Sequence, residues 1–595
     1  MPMPDWQNLV VMFFDQAARQ GEHPFLWRKR QGRYEPQTWR EVAARVTSLA
    51  RGLVGLGVTK GERIVLVAEN RPAWLIADVG IMAAGAITVP AYTTNTEADH
   101  LHVLRNTEAC GVIVSTRRIA APLLRAAAQC SFIRFIITIE EPQPPTELGA
   151  PLYTWQDVIA RGDTHHANVI AEAQAIKPTD PACIIHTSGT GGLPKGVVLP
   201  HQAILHNCRA GGEVLSEISS GENVFLSLLP LSHAYEHTVG QFLPMALGAQ
   251  IYYAEGIEKL ALNIREARPT LISAVPRFYE LMRQRITAEA HKAGGWREKL
   301  FRATLAIGRK RYEAQHDLTL GERLADGVLD FLVRRSIRAR FGSRLRAMVS
   351  GGAPLNPEVG LFFVALGLPV YQGFGQTEAA PLISVNRAGR LKVDTVGPPL
   401  KDVEVRIADD GEILVRGPMV MLGYWRNDEA TRATIRDGWL HTGDIGHLDE
   451  DGQLVIRDRK KDIIVNSGGD NISPARIEGL LTQQPEIAQA FAAGDRRSHL
   501  VALVVPDEGW MQTWARAAGK PRNANVLAND PDFLAAMRVA VERANAGLSV
   551  IEKVRRFAVT TDAFSTENGQ MTPTLKLRRH VIQTSYRDLL DSLYD

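Results

Sequence analysis

Cysteine is scarce in this chain: Cys110, Cys130, Cys183 and Cys208 are the four in 595 residues. No two stand in CxxC spacing, so a disulfide framework, a zinc ribbon and a dithiol redox motif are excluded as organising features. Long hydrophobic runs are also missing. The longest, residues 79–92, is interrupted by Gly85 and Pro90 and is too short to span a bilayer. The opening Met-Pro-Met-Pro-Asp has no basic segment leading into an apolar core, so no secretory signal is expected. The expected compartment is a reducing cytoplasm. Net charge is nearly absent, with 68 Lys and Arg against 65 Asp and Glu, which gives no global case for nucleic acid. No internal repeat or low-complexity tract stands out.

What remains is an ordinary globular composition, 45% hydrophobic and 22% charged, in a chain long enough for about four units at roughly 150 residues each. The near-neutral average hides a local excess. Between Arg283 and Arg346 there are 16 Lys and Arg against 7 Asp and Glu.

The first third alternates helices with short apolar strands. Thr38-Trp39-Arg40-Glu41 has capping-box spacing, with Val42, Val46, Leu49 and Leu53 following at helical intervals and Gly55 and Gly57 ending the helix. Arg63-Ile64-Val65-Leu66-Val67-Ala68 is a short, mostly apolar run suited to a buried parallel strand, 74–84 read as helix and 85–90 as the next strand. Such alternation predicts a doubly wound α/β sheet. From about Pro381 the texture changes. Val403, Val405 and Ile407 alternate into a turn at Asp409-Asp410-Gly411, and Ile413 and Val415 alternate back. A second hairpin turns at 449–452. The charged run Arg457-Asp458-Arg459-Lys460-Lys461-Asp462 reads as a hinge before a last unit mixing strands at 500–505 and 554–560 with helices.

The sharpest local signal is Thr187-Ser188-Gly189-Thr190-Gly191-Gly192-Leu193-Pro194-Lys195-Gly196. Its glycines permit close backbone approach, and its hydroxyls and lysine add donors, a combination suited to phosphate oxygens. It is neither a Walker loop, because Gly196 rather than Ser or Thr follows Lys195, nor a dinucleotide fingerprint. Five more segments follow in order: Leu229-Pro230-Leu231-Ser232-His233; Ser350-Gly351-Gly352-Ala353-Pro354-Leu355; Tyr371-Gln372-Gly373-Phe374-Gly375-Gln376-Thr377-Glu378; Gly438-Trp439-Leu440-His441-Thr442-Gly443-Asp444; and, beyond the charged run, Thr572-Pro573-Thr574-Leu575-Lys576. Taken singly, Asp444 would be a turn residue, Phe374 a core residue and Lys576 part of a solvated basic face.

Together these segments resemble the adenylate-forming superfamily of acyl-CoA synthetases, luciferases and peptide-synthetase adenylation domains, over about two thirds of the chain. The resemblance implies a large N-terminal domain (1–457), made of doubly wound α/β subdomains (about 1–180 and 181–390) and a small β-rich subdomain (391–457). A hinge (458–462) would join it to a mobile α+β C-terminal domain (463–595). It implies a two-step reaction. A carboxylate attacks the α-phosphorus of ATP to give an acyl-adenylate, and a thiol then takes the acyl group. Both first reactants are anionic, so charge neutralisation and in-line positioning dominate.

By the same resemblance Thr187, Ser188, Gly189, Thr190, Gly191, Gly192 and Lys195 hold phosphates, and Glu378 ligates Mg²⁺, the expected cofactor, beside Thr377. Phe374 and Gly375 face adenine with the backbone of Gly351, Gly352 and Ala353. Asp444 takes both ribose hydroxyls, Arg459 assists at the ribose or phosphate, and Lys576 reaches the attacking carboxylate. His233, Lys576, Glu378 and Thr190 carry the catalytic expectation, and Lys461 marks the hinge. Gly468, Gly469 and Asn471 stand in a loop resembling the one that meets the CoA arm, and Tyr235, His237 and Gln241 are expected along the acyl tunnel. Gly191 departs from the Thr of many relatives.

The segment from Val275-Pro276-Arg277 to Arg346 resembles the helical insertion of long-chain fatty acyl-CoA synthetases, which makes ATP, CoA and a fatty acid the expected partners. Medium-chain and aryl ligases, a ligase loading a carrier protein, and a non-catalytic sensor on the same fold stay open as alternatives. Acyl chain length, pathway and oligomeric state are not readable. The insertion coincides with the basic block. In it Leu324, Val328, Phe331 and Leu332 fall on one helical face beside Arg334, Arg338 and Arg340. This is either a solvated helical layer or a contact with anionic lipid at the inner membrane face.

Overall fold

The computed structural model describes residues 3–140, 148–187, 193–218, 221–313, 318–572 and 576–595. Its frame is a pair of eight-stranded sheets. In the first, Arg63–Val67 lies between Ile87–Pro90 and Gly111–Val114, all parallel, and Phe135–Thr138 and Leu152–Thr154 extend it on one side. On the other side Pro181–His186 joins Ile87–Pro90, followed by Gly196–Pro200 and the two-residue strand Gly423–Tyr424, these last two antiparallel to their neighbours. Helices cover both faces, which is why Ile64, Val65, Leu66 and Val67 can all be buried in succession. The helix Trp39–Gly55 begins at Thr38 with the reciprocal capping box its spacing predicts.

The second sheet runs Leu382–Val385, Val370–Gly375, Ala347–Ser350, Leu271–Ala274, Val224–Ser227, Gln250–Tyr253, Pro24–Arg30, Arg33–Thr38. The expected subdomain division near residue 180 therefore does not follow the sheets. Leu26 and Trp27 pair in parallel with Ile251 and Tyr252, while Pro181–His186 and Gly196–Pro200 complete the first sheet. The reason is chemical: an apolar strand announces that it will be buried but not which strand it will pair with.

A five-stranded antiparallel sheet holds Glu404–Ile407, Glu412–Arg416, Ile435–Arg436, Trp439–Leu448 and Leu454–Arg459. The charged run is not a linker from its start. Arg457 to Arg459 finish the last of these strands, with Arg459 paired opposite Asp444. Asp458 is buried, accepting from Ser473 and from the Arg459 backbone. Only residues 460–462 turn, closed by Lys460 N to Gly443 O (2.9 Å) and Asp462 N to Arg459 O (2.9 Å). Beyond them a three-stranded sheet, Ile487–Ala493, Leu500–Pro506 and Val554–Val559, packs with its helices around its own core.

The basic block folds as the helices Pro276–Ala293, Gly295–Glu313, Leu320–Leu329 and Arg335–Arg340. Much of its charge is paired internally. Arg334 is fully buried, meeting Asp326 at 2.7 Å and donating to Ala365 O at 2.8 Å, and Arg338 meets Asp330 at 2.7 Å. The apolar face picked out by sequence points outward instead. Leu324 (75%), Val328 (56%), Phe331 (65%) and Leu332 (49%) are exposed, joined by Leu320 (80%), while Leu329 and Ile337 face the core. Among the described residues no helix is long and apolar enough to cross a membrane. All four cysteines are buried and free.

Candidate active site

The chemistry-bearing segments converge on one cavity of about 610 Å³ where the sheets meet the C-terminal unit. Thr187 and Lys195 enter from the ends of Pro181–His186 and Gly196–Pro200, joined by Thr187 N to Lys195 O at 3.0 Å. His102 Nε2 donates to Pro194 O at 2.8 Å, and His186 Nε2 to Asn106 at 3.0 Å. Burial drives His186 down to about 3, so it stays neutral. Ser188, Gly189, Thr190, Gly191 and Gly192 lie outside the described residues.

Gly351 and Gly352 follow the strand Ala347–Ser350 into the cavity wall, and Phe374, Gly375, Thr377 and Glu378 line it from the end of Val370–Gly375. Gly375 is required there, because a Cβ would lie 1.7 Å from Pro381 O. Ala353 is exposed and does not line the cavity. Glu378 Oε1 accepts from the Tyr424 hydroxyl at 2.8 Å. Its second oxygen has no hydrogen-bond or ion-pair partner among the described residues. No described cluster of three or more His, Cys, Asp or Glu side chains could cage a metal by itself. A single carboxylate fits Mg²⁺, which keeps several waters and shares its coordination with the phosphates of a substrate.

Asp444 and Arg459 face each other across adjacent strands, Arg459 Nε standing 3.2 Å from Asp444 Oδ1. Burial pushes the Asp444 carboxyl up, opposed by Arg459 and Lys576. Lys576 arrives from the C-terminal unit. Its N–H donates to Thr572 Oγ1 at 3.1 Å, and the Thr572 N–H donates back to Lys576 O at 2.8 Å. Burial and then Arg459 lower its pKa to about 8, against the pull of Asp444 and Glu378. Its charge in turn adds to the burial that holds His233 at about 3. His233 is therefore neutral, and because its Nδ1 accepts from Tyr235 N at 3.2 Å, its proton sits on Nε2. Lys461 lines the same wall, its pKa lowered by burial and by Arg459.

The other arm of the cavity is apolar. Gly211, Val214 and Leu215 of the helix His201–Ile218 face Val239 and Leu243, with Tyr235 and Thr238 alongside. Tyr235 borders it. His237 and Gln241 do not: they turn to the opposite side, where His237 Nε2 stands 2.9 Å and Gln241 Nε2 2.8 Å from buried Asp78. Within the turn Glu236–Phe242, Thr238 and Val239 face the cavity, and His237 and Gln241 lie on the opposite face, against the core. Gly468, Gly469 and Asn471 also stand apart, on an exposed turn joining Ile464–Val465 to Asn471–Ile472.

Sequence reasoning missed Tyr424, Glu412, Arg436 and the apolar wall residues. Glu412 fixes the loop bearing Asp444, accepting from Gly443 N at 2.9 Å and Lys460 at 3.2 Å. A lone acid after a Gly turn, or a tyrosine after Gly423, gives no signal of its own.

Two family models match the chain that carries this cavity. Residues 13–425 match that of the AMP-binding enzymes and residues 461–595 that of the AMP-binding enzyme C-terminal domain. The chain belongs to the AMP-binding, adenylate-forming enzymes. It is 33% identical to the long-chain-fatty-acid–CoA ligase FadD15 of Mycobacterium bovis, over 99% of this chain and 97% of that one. To the peroxisomal long chain acyl-CoA synthetase 6 of Arabidopsis thaliana it is 31% identical, over 95% and 82%. Relatives of this kind put it in the long-chain acyl-CoA synthetase subgroup of that family. In fold it is similar to the adenylation and carrier didomain of a carboxylic acid reductase from Segniliparus rugosus in complex with AMP, with a TM-score of 0.78 at 20% identity, covering 99% of this chain and 82% of that one.

Proposed function

We propose that the protein is an AMP-forming long-chain-fatty-acid–CoA ligase. The observation that carries this reading is the meeting of Lys576, from the C-terminal unit, with Glu378, Asp444 and Arg459 at the junction of a polar and an apolar arm of one cavity. In the first step a fatty acid carboxylate oxygen forms a bond to the α-phosphorus of ATP, and the bond to the bridging oxygen breaks, releasing pyrophosphate. Lys576 offsets the charge of the approaching carboxylate, and Lys195 with the 187–196 segment, including Ser188 and Thr190, holds the phosphates. Phe374 and the backbone of Gly351 and Gly352 bound the adenine, and Asp444 takes the ribose hydroxyls from Arg459. Glu378 would hold Mg²⁺, which supplies charge neutralisation at the phosphates. Neutral His233, with its proton on Nε2, donates toward the carboxylate end of the acyl arm.

In the second step the CoA sulfur bonds to the acyl carbon, the bond to the AMP oxygen breaks, and the thiol proton leaves to solvent. Lys576 has no part in that step. The exposed turn with Gly468, Gly469 and Asn471 would serve it after residues 463–595 rotate about the 460–462 turn, with Lys461 at the pivot.

Purified protein given Mg·ATP and palmitate should exchange pyrophosphate into ATP, and with CoA it should form palmitoyl-CoA and AMP. Absence of both products would refute the reading. Acyl transfer to a carrier protein in preference to CoA would move the chain to the carrier-loading ligases.

We also infer a contact with anionic lipid through the outward stripe Leu320, Leu324, Val328, Phe331 and Leu332. Its support is apolar area on consecutive turns, with Arg335 lying over the Phe331 ring. Salt-sensitive cosedimentation with phosphatidylglycerol vesicles, lost on Leu324→Asp with Phe331→Asp, is the expected result. Equal recovery of wild type and variant in the pellet would exclude it.

A further inference from the structure

The segment from Met421 to Trp425 belongs to neither the phosphate loop nor the Glu378 turn, yet it ties the two together. Met421 N donates to Glu378 O at 2.9 Å, Leu422 N to Val198 O at 2.9 Å, and Trp425 N to Gly196 O at 2.7 Å. Gly423 and Tyr424 pair with Val198 and Val197 as an added edge strand. Gly423 makes this fit possible. Its φ is +146°, and a Cβ there would lie 2.8 Å from Thr431 Cγ2, while Thr431 Oγ1 accepts from Tyr424 N at 2.9 Å.

From this strap the Tyr424 side chain reaches both charged partners at once. Its hydroxyl donates to Glu378 Oε1 at 2.8 Å, and Lys195 Nζ lies over its ring at 4.3 Å from the centroid. The ring is buried, and with a carboxylate oxygen as its partner the hydroxyl is the donor of the pair. A donor held on one carboxylate oxygen fixes the rotamer of Glu378 and leaves the other oxygen for a cation. An aromatic face beneath an ammonium fixes Lys195 without neutralising it.

We propose that Tyr424 is a positioning residue that sets the geometry of the metal carboxylate Glu378 and the phosphate lysine Lys195 through one side chain. The proposal rests on the phosphate and Mg²⁺ reading of the cavity given above. It separates two contributions that single substitutions can read independently. Tyr424→Phe keeps the ring beneath Lys195 and removes only the hydrogen bond to Glu378. Tyr424→Leu removes both.

The test measures Mn²⁺ binding by electron paramagnetic resonance in the presence of a non-hydrolysable ATP analogue, alongside the Mg²⁺ and ATP dependence of pyrophosphate exchange. Loss of an outer partner of a metal ligand typically weakens metal affinity 10- to 100-fold. Tyr424→Phe should therefore raise the Mn²⁺ dissociation constant and the Mg²⁺ half-saturation point by about tenfold, with the KM for ATP at saturating Mg²⁺ unchanged. Tyr424→Leu should show the same metal defect and in addition a several-fold higher KM for ATP, which the Phe variant restores. Glu378→Ala is the control on the underlying reading. If it leaves metal binding intact, the cavity assignment fails. If it abolishes metal binding while Tyr424→Phe binds Mn²⁺ like wild type, the role of Tyr424 fails alone. Tyr424→Phe and Tyr424→Leu with equal KM for ATP would remove the Lys195 half of the proposal.

Discussion

Replacement of Gly211 by leucine should shorten the acids this protein accepts. Gly211 lies within the helix His201–Ile218, on the wall of the apolar arm, and a Cβ built on it stands 3.2 Å from Leu243 Cδ2. A leucine there cannot grow toward Leu243 and must project along the arm, displacing roughly four methylenes of an acyl chain. At about 0.8 kcal/mol per buried methylene the loss is about 3 kcal/mol, or roughly 200-fold in kcat/KM for palmitate, with octanoate nearly untouched. The fold should survive. Moving from glycine to leucine inside a helix gains up to about 1 kcal/mol of propensity, which offsets part of the crowding against Leu243. The assay is acyl-CoA formation across a series from octanoate to stearate, with thermal unfolding of the variant as a check. Gly211→Ala, which asks Leu243 to yield by only a few tenths of an ångström, should shift the profile less. A folded leucine variant with a chain-length profile parallel to wild type would refute the reasoning, because the acyl chain would then not run past Gly211.

Lys576→Ala should lower the adenylating half-reaction by at least a hundredfold, in the range of a lost charge-stabilising donor, while thioesterification from preformed palmitoyl-AMP stays within a few-fold; equal loss in both would count against its role. Because burial lowers the Lys576 pKa to about 8, the cation needed for adenylation is complete below that pH and lost above it. The kcat/KM for ATP should thus fall as pH rises through 8, and Lys576→Arg should abolish that limb; a flat profile to pH 9.5 would contradict the assignment. Asp326→Ala strips fully buried Arg334 of its 2.7 Å partner and should cost about 3 kcal/mol, read as a lower denaturation midpoint, with Arg334→Met in the same background recovering part of it.

The sequence carried the local elements and the order of the chemistry well. Residues 64–68 read as a buried parallel strand because nothing polar interrupts them, and Val403 to Val415 as a hairpin because the alternation reverses across Asp409-Asp410-Gly411. It did not carry partners or phases. The strand Pro24–Arg30 pairs with its neighbour Arg33–Thr38 on one edge but with distant Gln250–Tyr253 on the other, a non-local choice that hydrophobicity cannot encode. His237 and Gln241 lie on the face of Glu236–Phe242 opposite Thr238 and Val239, and the buried Asp78 they meet there comes from a distant helix that no local period reveals. Asp458 read as part of a charged hinge, although its side chain is buried in a strand. Tyr424 escaped notice because its role comes entirely from what stands on either side of it in space.

The pairing of Leu26 with Ile251 also has a consequence for biosynthesis. At 5–20 residues per second, the ribosome delivers Gln250–Tyr253 roughly 10 to 45 s after Phe25, Leu26 and Trp27 have been made. Throughout that interval one edge of the segment waits without its mate, although the hairpin with Arg33–Thr38 and the stacking of Phe25 on Trp39 are available locally. The nascent chain is therefore exposed to misassociation early rather than late. A chaperone acting on this protein would find its first client sequence within the opening forty residues, long before any part of the nucleotide cavity exists.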